Sequence, residues 1–200
     1  MKRILNLCPR VILKEGEQMD FFEDYFKQIG QKLNSTDVKN LNKVINLILN
    51  VDKKGKKVII AGNGGSAAIA SHISVDLTKS AKIRSTNFNE ADLITCFAND
   101  YGYERWLEEA IESFADRHDA VILISSSGQS KNIINAAKKA KKMGLGVVTL
   151  SGFDRNNPLR QIGDINFWVD SRVYNIVESV HNIWLSAIVD RLTKALKCKS

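Results

Sequence analysis

Proline is nearly missing from this chain. It has 2 prolines and 12 glycines in 200 residues, which excludes collagen-like repeats and Pro-rich linkers. Cysteine is scarce too. Cys8, Cys96 and Cys198 are odd in number and far apart, so they suit neither a disulfide framework nor a zinc ribbon, and a reducing compartment is expected. No run of about 18 apolar residues occurs, so no membrane span is expected. Lys2 and Arg3 precede an apolar stretch from Ile4 to Leu13, but Pro9 and Arg10 break it too early for a signal peptide. A cytoplasmic location is the resulting expectation. What remains is ordinary globular composition, 44% hydrophobic and 26% charged, enough to exclude disorder and to build a substantial core.

Acidic residues are outnumbered, 22 against 29 lysines and arginines, for a net charge of +7. A basic chain raises nucleic acid as a partner. The surplus, however, falls into Lys53, Lys54, Lys56 and Lys57, then Lys138, Lys139, Lys141 and Lys142, then Lys194, Lys197 and Lys199. Solvated helix ends account for most of it, because cations are favourable near helix C-termini. No zinc-finger spacing, RNP-like aromatic motif or basic zipper supports nucleic acid, so none is expected as a partner.

The hydrophobic pattern divides the chain. Residues 1 to about 18 read as a loosely specified arm. Phe21, Phe22, Tyr25, Phe26, Ile29 and Leu33 then fall at helical spacing, and Ser35 or Thr36 can cap a second helix carrying Leu41, Val44, Ile45, Ile48 and Val51. Residues 1–34 are assigned to oligomerisation, since four aromatics on one short helix are too many to leave in water. From Lys57 the rhythm changes. Val58 to Ala61, Ala120 to Ile124, Gly146 to Leu150 and Ile165 to Val169 are short apolar runs without alternation, separated by helical segments. Ser85 to Phe88 reads as a further strand, Glu90 to Ala98 as a short helix, and residues 173 to 197 as the last helix. Such runs indicate strands buried on both faces of a parallel sheet. The expected fold is therefore a three-layer α/β/α sandwich over residues 35–200, with N-terminal helices before it. Ligands in such sheets bind beyond the carboxyl ends of the strands.

Two loops lie where that rule puts a ligand. Gly62-Asn63-Gly64-Gly65-Ser66 ends the first strand and opens a helix, whose free N–H groups and dipole favour an anion. Ser125-Ser126-Ser127-Gly128-Gln129-Ser130 does the same later, and four hydroxyls in six residues exceed what capping needs. Neither is a Walker A loop or a dinucleotide fingerprint, so no nucleotide cofactor is expected. Each loop alone also reads as a plain tight turn. Together, at the ends of two parallel strands, they favour a phosphorylated ligand.

Ala61-Gly-Asn-Gly-Gly-Ser66 followed by His72, then Phe97-Ala-Asn-Asp-Tyr-Gly102, then Ile124-Ser-Ser-Ser-Gly-Gln-Ser130 together resemble a sugar isomerase (SIS) domain, and most closely the phosphoheptose isomerases. The resemblance spans roughly residues 37 to 197. It implies a five-stranded parallel sheet, a homotetramer with active sites between subunits, and conversion of sedoheptulose 7-phosphate to D-glycero-D-manno-heptose 7-phosphate for lipopolysaccharide or capsule synthesis. It also implies that Gly64, Ser66, Ser125, Ser126, Ser127 and Ser130 surround the phosphate, and that Asn63 and Asp100 contact sugar hydroxyls.

Aldose–ketose isomerisation needs a base, a conjugate acid and stabilisation of an enediolate. His72 and Asp76 are four apart on one helix, and Glu178 and His181 three apart on another, so each pair shares a face. Brought together they supply a carboxylate base (Asp76), an acid (His181 or Glu178) and, in His72, Asp76 and Glu178, ligands for Zn²⁺. Read from spacing alone, the first pair is equally a surface hydrogen bond. His181, among Val177, Val180, Ile183 and Trp184, is equally a core or interface residue. By resemblance, Asp76 stands where the family carries a glutamate that is both ligand and base. Glu178 aligns with a glutamine ligand and Ser186 with a second catalytic histidine. The alternative to an isomerase is a non-catalytic SIS module, either a sugar-phosphate sensor or a scaffold for another protein such as a replication initiator.

Overall fold

The computed structural model describes residues 15–197. Cys8, Cys198 and the first fourteen residues of the expected arm lie outside them. Two helices, α1 (Glu15–Asn34) and α2 (Val38–Lys53), precede the alternating part. That part runs β1 (Val58–Gly62), α3 (Gly65–Lys79), β2 (Ser85–Thr86), α4 (Ala91–Tyr101), α5 (Trp106–Phe114), β3 (Ala120–Ser125), α6 (Lys131–Lys142), β4 (Gly146–Ser151), a 3₁₀ turn (Leu159–Gln161), β5 (Ile165–Trp168) and α7 (Tyr174–Lys197). The five strands are all parallel, in the order β2-β1-β3-β4-β5.

Both faces of the sheet are dry, as the unbroken apolar runs require. Val58 and Ile60 of β1, with Ile122 and Ile124 of β3, pack under α2, α3 and α7 through Val44, Ile48, Ile73, Leu77, Val177 and Val180. The alternate residues Ile59, Ala61, Val121 and Leu123 face α4, α5 and α6 through Leu107, Ile111, Ile133 and Ala137. Period-two alternation along each strand thus feeds two separate cores, which makes the third layer obligatory.

Local departures from the sequence reading have local causes. Asp37, not Ser35 or Thr36, caps α2, accepting from the Lys39 N–H. Ser35 and Thr36 instead donate to the Lys32 carbonyl and close α1. The strand expected over Ser85 to Phe88 stops at Thr86, because Asn87 folds back to accept from the Asn89 N–H and Phe88 turns into the core. The helix expected to end at Ala98 runs to Tyr101 and stops at Gly102, which has φ +84°. Part of the lysine surplus is paired within the fold. Lys57 lies 2.7 Å from buried Asp119 and 3.0 Å from Asp116, and Lys139 and Lys141 pair with Glu112 and Asp164.

α7 carries the main correction. It presents Val177, Val180, Trp184 and Ile188 to the sheet, and His181 falls on that same stripe, fully buried. Its Nε2 donates to the Ser151 carbonyl at 3.1 Å, and its Nδ1 is buried without a partner. The ring packs beside Trp184, whose Nε1 donates to Thr36 Oγ1. His181, expected as an acid in the site, is instead a core residue that ties α7 to the end of β4. Burial pulls the imidazole down to about 4, against a partial upward pull from the Ser151 carbonyl. The unfolded chain takes up this proton near pH 6.5, while the folded chain resists it down to about 4. Stability therefore does not depend on this group above about pH 7. It falls between about pH 6.5 and 4, by roughly 3 kcal/mol in total. His181→Gln keeps a donor for the Ser151 carbonyl but has no proton to gain. Urea unfolding at pH 7, 5 and 4 should show that the variant loses markedly less stability than the wild type. Parallel pH curves for the two proteins would contradict this account of His181.

Candidate active site

Parallel strands deliver their carboxyl ends, and the first turns of the following helices, to one edge of the sheet. β1 and β3 are hydrogen-bonded neighbours, with Gly62 opposite Ile124, so the two loops noted in the sequence stand side by side. Asn63, Ser66, Ser125, Ser126, Ser127 and Ser130, with Tyr174 and Glu178, line a pocket of about 110 Å³. Gly64, at the start of α3, and Ser130, at the start of α6, make no side-chain capping bond. At α3 the Ser66 and Ala67 N–H groups turn back onto the Asn63 and Gly64 carbonyls, whereas the first N–H groups of α6 have no backbone partner and are open to a ligand. Ser125 donates to Ser130 at 3.1 Å, and Ser127 accepts from the Gln129 N–H. Gly128 turns this second loop at φ +66°, and a Cβ there would overlap the Asn157 side chain. Asn157 is itself buried and bonded to Ser151 and to the Gly152 carbonyl.

A larger cleft of about 430 Å³ abuts this pocket. It runs between α3 and α7, lined by Gly65, Ala68, Ile69, His72, Glu178, Ser179 and Asn182. Glu178 belongs to both cavities. Its carboxylate lies against Gly65, where any Cβ would overlap it, and Ser126 Oγ donates to it at 3.4 Å. Gly65 is thus the residue that lets a carboxylate rest at the N-terminus of α3, a position the helix dipole favours.

Other expected site residues are placed differently. Asp100 is exposed in the last turn of α4, bonded to Asn99 and touching Cys96, and lines neither cavity. Asp76 also lines neither cavity, and its Oδ2 lies 3.3 Å from His72 Nε2. His72 and Asp76 are thus brought together, while the Glu178 carboxylate is turned toward Gly65 and Ser126. Among the described residues, no three His, Cys, Asp or Glu side chains converge on a point that could hold a metal. The donor set expected for Zn²⁺ does not assemble within the chain. Ser186, half-buried on α7, lines neither cavity and supplies no fourth ligand.

Sequence reasoning missed four polar residues. Asn132, second in α6 and almost fully buried, exchanges two amide hydrogen bonds with Asn63 at 2.9 and 3.0 Å. Tyr103 donates to Asn63 from the start of the α4–α5 turn. Ser179 and Asn182 line the cleft beside Glu178. The i,i+4 spacing of Glu178 and Asn182 was the available signal.

Known proteins share this fold. A family model described as SIS domain matches residues 21–152. Phosphoheptose isomerase from Fusobacterium nucleatum is 32% identical over 163 residues, covering 79% of this chain and 84% of that protein. Phosphoheptose isomerase from Neisseria gonorrhoeae superposes with a TM-score of 0.81 at 23% identity, over 89% of this chain and 98% of that one. The enzyme from Francisella tularensis superposes with a TM-score of 0.83 at 19% identity, over 91% and 100%. The chain belongs to the SIS domain family and, within it, to the phosphoheptose isomerases.

Proposed function

We propose that this protein isomerises sedoheptulose 7-phosphate to the corresponding heptose 7-phosphate. The observation that carries this reading is the pairing of a small serine-lined pocket at the carboxyl edge of the sheet with a larger adjoining cleft between α3 and α7. The pocket suits a phosphate. Four loop hydroxyls and the open first N–H groups of α6 are neutral donors, each hydrogen bond to a charged group contributing about 1.5–3 kcal/mol. The cleft suits the polyhydroxy chain. Glu178 stands at the junction, where its carboxylate accepts from Ser126 and keeps lone pairs for a sugar hydroxyl, and Ser179 and Asn182 follow along α7. The relatives named phosphoheptose isomerase support the choice of substrate. A reaction on a soluble sugar phosphate for surface-sugar synthesis fits a cytoplasmic enzyme, and no described helix is long and apolar enough to cross a membrane.

The Zn²⁺ that the family implies does not fit the side-chain geometry within the chain, since His72 and Asp76 pair with each other and the Glu178 carboxylate turns to Gly65 and Ser126. The N-terminal helix fits a role in assembly, as a homotetramer. Phe21, Phe22 and Phe26 are 61%, 51% and 65% exposed, while Ile29 and Leu33 on the same helix pack on the core. This divides α1 into an anchored half and an unpartnered aromatic half. Replacing the three phenylalanines with serine should therefore leave the fold intact and reduce the assembly to smaller species in sedimentation velocity. An unchanged sedimentation coefficient would show that these rings hold no subunit interface.

Phosphate binding should depend on the second loop. Ser125→Ala with Ser127→Ala removes two hydroxyl donors, and the dissociation constant for sedoheptulose 7-phosphate in calorimetry should rise at least tenfold without loss of fold. Equal affinity would remove the phosphate from this pocket. A wild type that binds the sugar phosphate but converts none of it would favour the sensor or scaffold reading over the isomerase.

A further inference from the structure

We infer that His72, held from behind by Asp76, is the group that carries the proton between the two reacting carbons, and that it does so without a bound metal. This rests on the isomerase reading above and specifies its chemistry. The argument begins with reach. The phosphate pocket and the cleft meet at Gly65 and Glu178, and His72 is seven residues further along α3, about 10.5 Å at 1.5 Å per residue. An open seven-carbon chain spans about 7.5 Å over its six carbon–carbon bonds, and the phosphoester link adds about 2.5 Å on ordinary single-bond lengths. With the phosphate among the serines, C1 and C2 arrive beside His72. Glu178, whose carboxylate is hydrogen-bonded to a serine of the phosphate loop, sits at the wrong end for proton transfer at C1 and is placed for the hydroxyls nearer the phosphate. Asp76 is a further turn away, about 16.5 Å from Gly65, and lines neither cavity. Of the titratable side chains lining the cleft, only His72 stands at its far end.

The pair is arranged for this work. Asp76 Oδ2 lies 3.3 Å from His72 Nε2, so the carboxylate favours the ring proton on Nε2 and leaves the lone pair on Nδ1. That nitrogen takes the proton from C1 of the ketose. The C1–H electron pair becomes the C1=C2 bond, and the C2 carbonyl pair moves to O2. A proton passes from O1 to O2 across the enediolate, the O1 pair forms the new C1=O, and the C1=C2 pair takes the proton back from Nδ1 at C2. Nothing is consumed, and ketose becomes aldose. The family's metal-dependent arrangement places a glutamate at position 76 and a histidine at 186. Here a shorter aspartate turns to its own helical neighbour, position 186 is serine, and the donors do not converge on a metal position.

Deuterium incorporation from D₂O into sedoheptulose 7-phosphate tests the proposal, with protein dialysed against EDTA and its zinc content measured. His72 is exposed, so His72→Gln should fold normally. Its kcat should fall at least ~10²-fold with KM within threefold of wild type. Asp76→Asn should lower kcat by at least tenfold, again with little change in KM. The wild type should exchange deuterium at an unchanged rate after EDTA. Retained turnover in His72→Gln overturns the role of His72. Activity lost to EDTA and restored by Zn²⁺ overturns the metal-free step. Both leave the isomerase standing. A wild type that exchanges no deuterium under any condition overturns the isomerase reading itself.

Discussion

The five strands point the same way, and the rest of the molecule follows from that. Parallel pairing forces each connection to cross a face of the sheet, so helices cover both faces and the central strands β1, β3 and β4 are buried on both sides. The same constraint gathers the carboxyl ends of β1 and β3 at one edge, each followed at once by a helix start. Two uncapped helix N-termini beside one another make a site of positive potential without any lysine or arginine among its lining residues. The net charge of +7 has little to do with the pocket. Several of its lysines are paired at the other end of the sheet or along α6.

Into this positive edge the fold places one negative group, the Glu178 carboxylate. It rests on Gly65 at the start of α3 and accepts from Ser126 of the neighbouring loop. A carboxylate in that position is stabilised by the same N–H groups and hydroxyls that would greet a phosphate. Glu178 therefore touches both loops, and it stands where the serine-lined pocket meets the cleft between α3 and α7. The glycine at 65 and the glutamate at 178 form one feature, although 113 positions separate them in the sequence.

Much of this was legible in the sequence, and what was not had physical reasons. The unbroken apolar runs 58–61, 120–124 and 146–150 announced buried parallel strands, and the glycine- and serine-rich segments after two of them announced the loops. Those signals are local, so they survive folding unchanged. Side-chain direction on α7 was not legible to the same degree. Glu178 and His181 are three apart and share a face by spacing, yet that face spans about 60°. Its two edges point to different places, Glu178 to the cleft and His181 to the end of β4. Spacing shows which residues are neighbours on a helix; the register of the whole apolar stripe decides which of them is buried. Val177, Val180, Trp184 and Ile188 set that register, and His181 lies inside it. Asp100 eluded the sequence for a similar reason. The motif around it was recognisable, but the last turn of α4 leaves its carboxylate outside both cavities.

The contrast between the two histidines of the site region shows how one fold assigns opposite tasks to the same side chain. His181 is sealed in the core, held neutral by burial and committed to a backbone carbonyl. Turning it toward the cleft would empty its place beside Trp184 and leave the Ser151 carbonyl unbonded, a cost of about 1–3 kcal/mol for the buried polar group alone. His72 lies on the side of α3 away from the buried stripe of Ile69, Ile73 and Leu77, so no packing restrains its ring. The restraint comes instead from Asp76, one turn on. Aspartate at 76 keeps its carboxylate beside Nε2. Of the two histidines, only His72 keeps a ring that lines a cleft, and the group that meets it there is a carboxylate rather than a backbone carbonyl.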